Sequence, residues 1–126
     1  MIVGIGTDLC EIGRIERALA RFGERFAARI LVDSEIERFR RHRKPAAYLA
    51  KRFAAKEAFS KAMGTGIRAP VNWHNVWVEN APSGKPLLCS SDALAALMAR
   101  RGIVNTHLSI TDEIGMACAF IVLEGR

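Results

Sequence analysis

Residues 46–64 read AAYLAKRFAAKEAFSKAMG, and this stretch decides the fold. It is rich in alanine and holds no proline, and its first glycine is Gly64, so the spacing predicts a helix from Ala46 to Met63. Gly64 suits the left-handed position that follows a helix end. Ala50, Phe53, Ala54, Ala58 and Phe59 make this helix apolar around most of its circumference, which is the pattern of a buried helix. A helix of that kind needs a sheet and other helices to cover it.

The flanking sequence supplies them. Residues 2–7 (IVGIGT) predict a short strand, and Ile12, Ile15, Leu19 and Phe22 recur at helical spacing across 11–22. Asp33 and Ser34 precede Glu37 in the order of a capping box, predicting a helix over 34–43. Beyond Gly66, Val76-Trp77-Val78 and Pro86-Leu87-Leu88 flank Pro82-Ser83-Gly84 as a hairpin, and Ser91 and Asp92 can cap a short helix to about Arg101. Residues 104–111 and 116–123 form a second hairpin around 112–115. Strands and helices fall in separate blocks, so the expected class is α+β: a mainly antiparallel sheet packed against the long buried helix, in one domain over 1–126.

The chain has 126 residues, 50% hydrophobic and 25% charged, a composition that excludes disordered and fibrous classes. No apolar run approaches the roughly 18 residues of a bilayer-spanning helix, and no basic segment precedes the first apolar residues. Cys10, Cys89 and Cys118 form no C-x-x-C pair and no zinc-type cluster. A soluble protein of the reducing cytoplasm, with no membrane contact, is expected. Nineteen Lys and Arg against 13 Asp and Glu leave a formal charge of +6, which implies an anionic partner. Leu9 stands where a dinucleotide fingerprint needs its third glycine, and neither a P-loop nor a G-x-S-x-G elbow occurs.

Glu57 lies four residues after Phe53 and four before Lys61. This spacing gives either an exposed ion pair or a carboxylate and a lysine lining a site. Asp8, at the end of the first predicted strand, is either the N-cap of the next helix or a ligand. Asp8 and Glu57, with Lys61 near, suit Mg²⁺, which takes one or two carboxylates and fills its other positions with water and phosphate oxygens. Arg14, Arg17, Arg21, Arg25 and Arg29 make one basic stripe if the helix continues through them, either a solvated face or a dock for an acidic protein or a phosphate backbone. His42, His74 and His107 lack metal-ligand spacing; His107 stands out for lying in a predicted strand near Ser109. Trp73, Trp77, Phe39 and Tyr48 suit core packing better than a nucleic-acid platform.

Two long motifs carry a resemblance. Gly4-Ile5-Gly6-Thr7-Asp8 with Glu11 and Arg14-Ile15-Glu16, and Lys51-Arg52-Phe53-Ala54-Ala55-Lys56-Glu57-Ala58 continuing to Lys61 and Gly64-Thr65-Gly66-Ile67, closely resemble the holo-[acyl-carrier-protein] synthase family, the short bacterial class of 4′-phosphopantetheinyl transferases. Gly84-Lys85-Pro86, Thr106-His107-Leu108-Ser109-Ile110-Thr111 and Ala117-Cys118-Ala119 extend the match to the end of the chain. The resemblance implies transfer of the phosphopantetheine arm of coenzyme A to a serine of apo-acyl carrier protein in fatty acid biosynthesis, with release of adenosine 3′,5′-bisphosphate. It implies Asp8 and Glu57 as Mg²⁺ ligands at the coenzyme A pyrophosphate. Glu57 would also be the general base, directly or through a water on the metal, and Lys61 would neutralise phosphate charge. Arg52, Lys56, Lys61 and His107 become coenzyme A ligands, and Arg14, Arg17, Arg21 and Arg25 the dock for the acidic carrier protein. The family forms homotrimers with active sites between subunits.

Two other readings compete. A basic nucleic-acid-binding module explains the charge but not a carboxylate in an apolar helix. A Mg²⁺-dependent phosphohydrolase would use the same carboxylates with water as nucleophile.

Overall fold

A computed structural model describes residues 1–126. The chain runs β1 (Ile2–Glu11), α1 (Ile12–Phe22), α2 (Glu24–Ile30), α3 (Asp33–Arg41), α4 (Pro45–Met63), β2 (Val76–Asn80), β3 (Pro86–Ser90), α5 (Asp92–Arg100), β4 (Ile103–Glu113) and β5 (Met116–Gly125). β1, β5 and β4 form a three-stranded antiparallel sheet in that order, and β2 pairs with β3 as a separate hairpin. The α+β class and both hairpins are as the sequence leads one to expect.

Alternation in β5 sets the two faces of the sheet. Ala117, Ala119, Ile121 and Leu123 are buried, while the residues between them are partly or fully exposed. The register places Gly6 opposite Ile121 and Asp8 opposite Ala119, so Gly4, Gly6, Asp8 and Cys10 share the buried face. α4 lies across it, with Leu49, Ala54, Ala58 and Phe59 fully covered.

The two glycines explain how closely strand and helix pack. A Cβ on Gly6 would stand 2.0 Å from the Ala58 carbonyl oxygen, and one on Gly4 would stand 2.3 Å from that of Ala62. Only hydrogen fits at either place. The glycines of residues 4–6 thus serve helix–strand packing, not phosphate binding.

Several expectations need correction. β1 continues to Glu11 because residues 7–11 keep pairing with Met116–Phe120, so Asp8 lies inside the strand and the residue preceding α1 is Glu11. α3 starts at Asp33, and its first turn is held by Glu35, whose Oε1 accepts the Val32 N–H at 3.0 Å; Ser34 and Glu37 make no box. Gly23, at φ +65°, ends α1 and lets the chain restart as α2, so the five arginines do not form one continuous stripe. Phe22, expected on the buried face of α1, is half exposed.

Candidate active site

α4 and β1 bring one group of predicted residues together. Lys61 Nζ donates to Asp8 Oδ1 at 2.9 Å and to the Thr7 carbonyl at 3.1 Å. The other carboxylate oxygen, Asp8 Oδ2, is buried and has no hydrogen-bond partner. Glu57 lies one helical turn before Lys61. Burial, and then the neighbouring Asp8 charge, push its carboxyl above the usual range, while Lys61 and Arg14 pull the other way. Arg14 reaches this cluster from α1, its guanidinium 5.8 Å from the Phe53 ring centroid.

These residues fit a hard divalent cation. Two carboxylates stand near each other, one with a buried oxygen that no protein donor satisfies. No third carboxylate, histidine or cysteine completes a cage. Mg²⁺ is the ion that accepts so few protein ligands and leaves its remaining positions to water and substrate oxygens.

A second group lies nearer the start of α4. Arg38, His42, Lys51 and Arg52 line a cavity of about 420 Å³ whose far wall includes Pro82 and Gly84 of the β2–β3 turn. Arg52 stacks over Tyr48, 4.5 Å from its ring centroid, and Nη2 donates to Asn80 Oδ1 at 2.9 Å. Two polar atoms of the cavity's lining residues, Arg52 Nε and the Tyr48 hydroxyl, are buried without partners. Burial and the adjacent Lys51 and Arg52 charges hold the His42 imidazole below its ordinary pKa. Arg38, Lys51 and Arg52 make the opening basic, with Lys51 also 3.6 Å from the Asp112 carboxylate, and such an opening favours an anionic ligand. Sequence reading singled out only Arg52 here; the signals for the rest were Lys51, within the long motif, and Gly84-Lys85-Pro86.

Other predicted residues lie elsewhere. Lys56 cannot meet a phosphate: it is completely buried, and Nζ donates to Glu35 Oε1 at 2.7 Å and to the Ile30 and Trp73 carbonyls at 2.6 and 2.8 Å. His107 sits on β4 opposite Val122, on the sheet face away from α4, and its Nε2 lies 3.0 Å from Glu124 Oε1. Within one chain it does not join Asp8 and Glu57. Arg14 and Arg21 are exposed on α1, Arg17 pairs with Glu11 at 3.2 Å, and Arg25 belongs to α2. Phe39 and Tyr48 are buried and Trp73 stacks on Phe53, so the aromatics form no common platform.

Comparison with known proteins identifies the fold and the family. A crystal structure of holo-[acyl-carrier-protein] synthase from Neisseria meningitidis superposes with a TM-score of 0.95 at 46% identity, covering 98% of this chain and 99% of that one. The synthase from Bacillus anthracis, in complex with CoA (3′,5′-ADP), superposes at 0.84 with 38% identity over 100% of this chain and 99% of that one. The holo-[acyl-carrier-protein] synthase of Nitrosomonas europaea is 55% identical over 124 residues, 98% of this chain and 99% of that protein. The family model of the 4′-phosphopantetheinyl transferase superfamily matches residues 4–112, and the chain belongs to that superfamily.

Proposed function

We propose that this chain is a Mg²⁺-dependent holo-[acyl-carrier-protein] synthase, transferring the 4′-phosphopantetheine arm of coenzyme A to a serine of apo-acyl carrier protein. The observation that carries the reading is the Asp8–Glu57–Lys61 cluster, two carboxylates and an ammonium held on the family's two motifs by the glycine contact between β1 and α4.

In the reaction the serine oxygen attacks the phosphorus that bears the pantetheine arm. The bond from that phosphorus to the bridging oxygen breaks, adenosine 3′,5′-bisphosphate leaves, and the serine proton is taken up by a base. On this reading Glu57 accepts that proton. Lys61, half exposed, sets a positive charge beside the transferring phosphoryl group. Asp8 and Glu57 would hold Mg²⁺, which supplies charge neutralisation at the pyrophosphate oxygens.

The cavity of Arg38, His42, Lys51 and Arg52 receives the 3′-phosphate end of the nucleotide. Arg52 and Glu57 are five residues apart, a rise of about 7.5 Å along α4, and on this reading one coenzyme A molecule engages both the cavity and the carboxylates.

The outward face of the main sheet supports a homotrimer. Ile5, Leu9 and Phe120 stand 41–66% exposed there, an apolar patch of the kind that marks an interface. His107 lies on the same face, so in the trimer it serves a neighbour's site. Arg14 and Arg21 of α1 meet the acidic carrier protein. No helix is long and apolar enough to cross a membrane, and the three cysteines are free, consistent with a cytoplasmic enzyme.

The test is release of adenosine 3′,5′-bisphosphate from coenzyme A, followed by chromatography with and without apo-acyl carrier protein. Release that requires the carrier supports transfer; release without it makes the protein a phosphohydrolase.

A further inference from the structure

Lys56 and Glu57 are consecutive in α4 yet point to different surroundings, Glu57 toward Asp8 and Lys56 into the protein. All three hydrogens of the Lys56 ammonium are used: on Glu35, on the last residue of α2 and on the loop before β2. Glu35 is equally buried. Its Oε1 also accepts the Val32 N–H at 3.0 Å, and its Oε2 accepts the Val78 N–H at 2.9 Å. One ion pair thus ties α2, α3, the 73-loop and β2 to the middle of α4.

The tied segments carry the walls of the cationic cavity. Arg38 stands one turn beyond Glu35 on α3. Asn80 stands two residues beyond Val78 on β2 and holds Arg52, which lies one turn before Lys56. Such a pair is a poor device for stability alone, because well-packed apolar replacements of buried ion pairs are often as stable or more so. An apolar pair, however, could not accept the Val32 and Val78 amides and so could not fix α3 and β2 in register with α4.

We propose that Glu35 and Lys56 are a positioning pair, holding Arg38, Arg52 and Asn80 at the cavity in fixed register with Glu57, so that coenzyme A is recognised by its 3′-phosphate while its pyrophosphate meets the carboxylates. The inference rests on the assignment of the cavity made above.

The experiment compares KM for coenzyme A and for 3′-dephospho-coenzyme A in the wild-type enzyme and in the double variant Lys56→Met/Glu35→Leu, with folding checked by circular dichroism. Glu35→Gln, which keeps the volume and one accepting oxygen, is measured in the same way should the double variant not fold. KM for coenzyme A is expected to rise about tenfold, as for loss of one well-placed hydrogen bond to a charged group, with a much smaller change for the dephospho substrate. Discrimination between the two then collapses. A variant that keeps the wild-type ratio, or raises both KM values equally, overturns the positioning role while leaving the cavity assignment intact. A wild-type enzyme that does not discriminate overturns both.

Discussion

Lys61 on α4 and Asp8 on β1 are 53 residues apart in sequence and 2.9 Å apart in space. The lysine is half exposed, so the pair adds little to stability. Its effect is orientation: Lys61 occupies Oδ1 and leaves Oδ2 buried without a partner, while the Asp8 charge acts on Glu57. The approach that makes this possible depends on two residues without side chains.

Gly6→Ala tests that approach. The new Cβ would stand 2.0 Å from the Ala58 carbonyl, and backbone cannot give way as a side chain can. The expected cost is about 1–3 kcal/mol or more, from overpacking. It is read as a lowered denaturant midpoint, with a fall in kcat because Asp8 moves with the strand.

Glu57→Gln and Asp8→Asn keep size and remove charge. Each is expected to lower kcat by about 10²-fold or more, the usual contribution of a positioned base or charge. Thermal melting should stay near that of the wild type, because neither carboxylate supports the core. Wild-type turnover by Glu57→Gln at saturating Mg²⁺ would remove Glu57 from the chemistry.

Affinity for the nucleotide should depend on pH through His42. Burial and the charges of Lys51, Arg52 and Arg38 depress the imidazole pKa in the free protein, while the backbone N–H of Lys44 contacts Nδ1 at 3.0 Å. A phosphate dianion in the cavity offsets those cations and raises the pKa. A pKa higher in the complex than in the free protein means proton uptake on binding, so binding strengthens as pH falls through the bound-state value and levels off below the free one. Calorimetry with adenosine 3′,5′-bisphosphate across pH, against His42→Gln, isolates this part from titration of the phosphate itself. Identical pH profiles for the two proteins would place the 3′-phosphate elsewhere.

Arg14→Ala and Arg25→Ala should separate the two arginine helices. Arg14 stands beside Phe53 and the carboxylate cluster, whereas Arg25 is carried away by the break at Gly23. KM for the carrier protein is expected to rise more for Arg14→Ala, with a weakened salt dependence. Equal effects would mean that the carrier spans both helices.

Much of this molecule was legible in its sequence, for identifiable reasons. An α4 apolar around most of its circumference called for cover, and the apolar run 116–123 was readable as a strand of the sheet that supplies it. Asp8, Glu57 and Lys61 were legible as a set because they lie in the two motifs that carry the family resemblance. What was not legible is tertiary. Nothing local shows that Lys56 turns inward, since its partner Glu35 is 21 residues away. The cationic cavity draws on α3, α4 and the β2–β3 turn, and no spacing rule links them. The helix break at Gly23 was readable, but the regular four-residue arginine step across it outweighed one glycine.

The central claim is tested most directly by intact-mass spectrometry of apo-acyl carrier protein incubated with coenzyme A and this protein, with and without Mg²⁺. A metal-dependent mass gain of one phosphopantetheine arm is the predicted result. A folded protein that leaves the carrier's mass unchanged at saturating Mg²⁺ would contradict it.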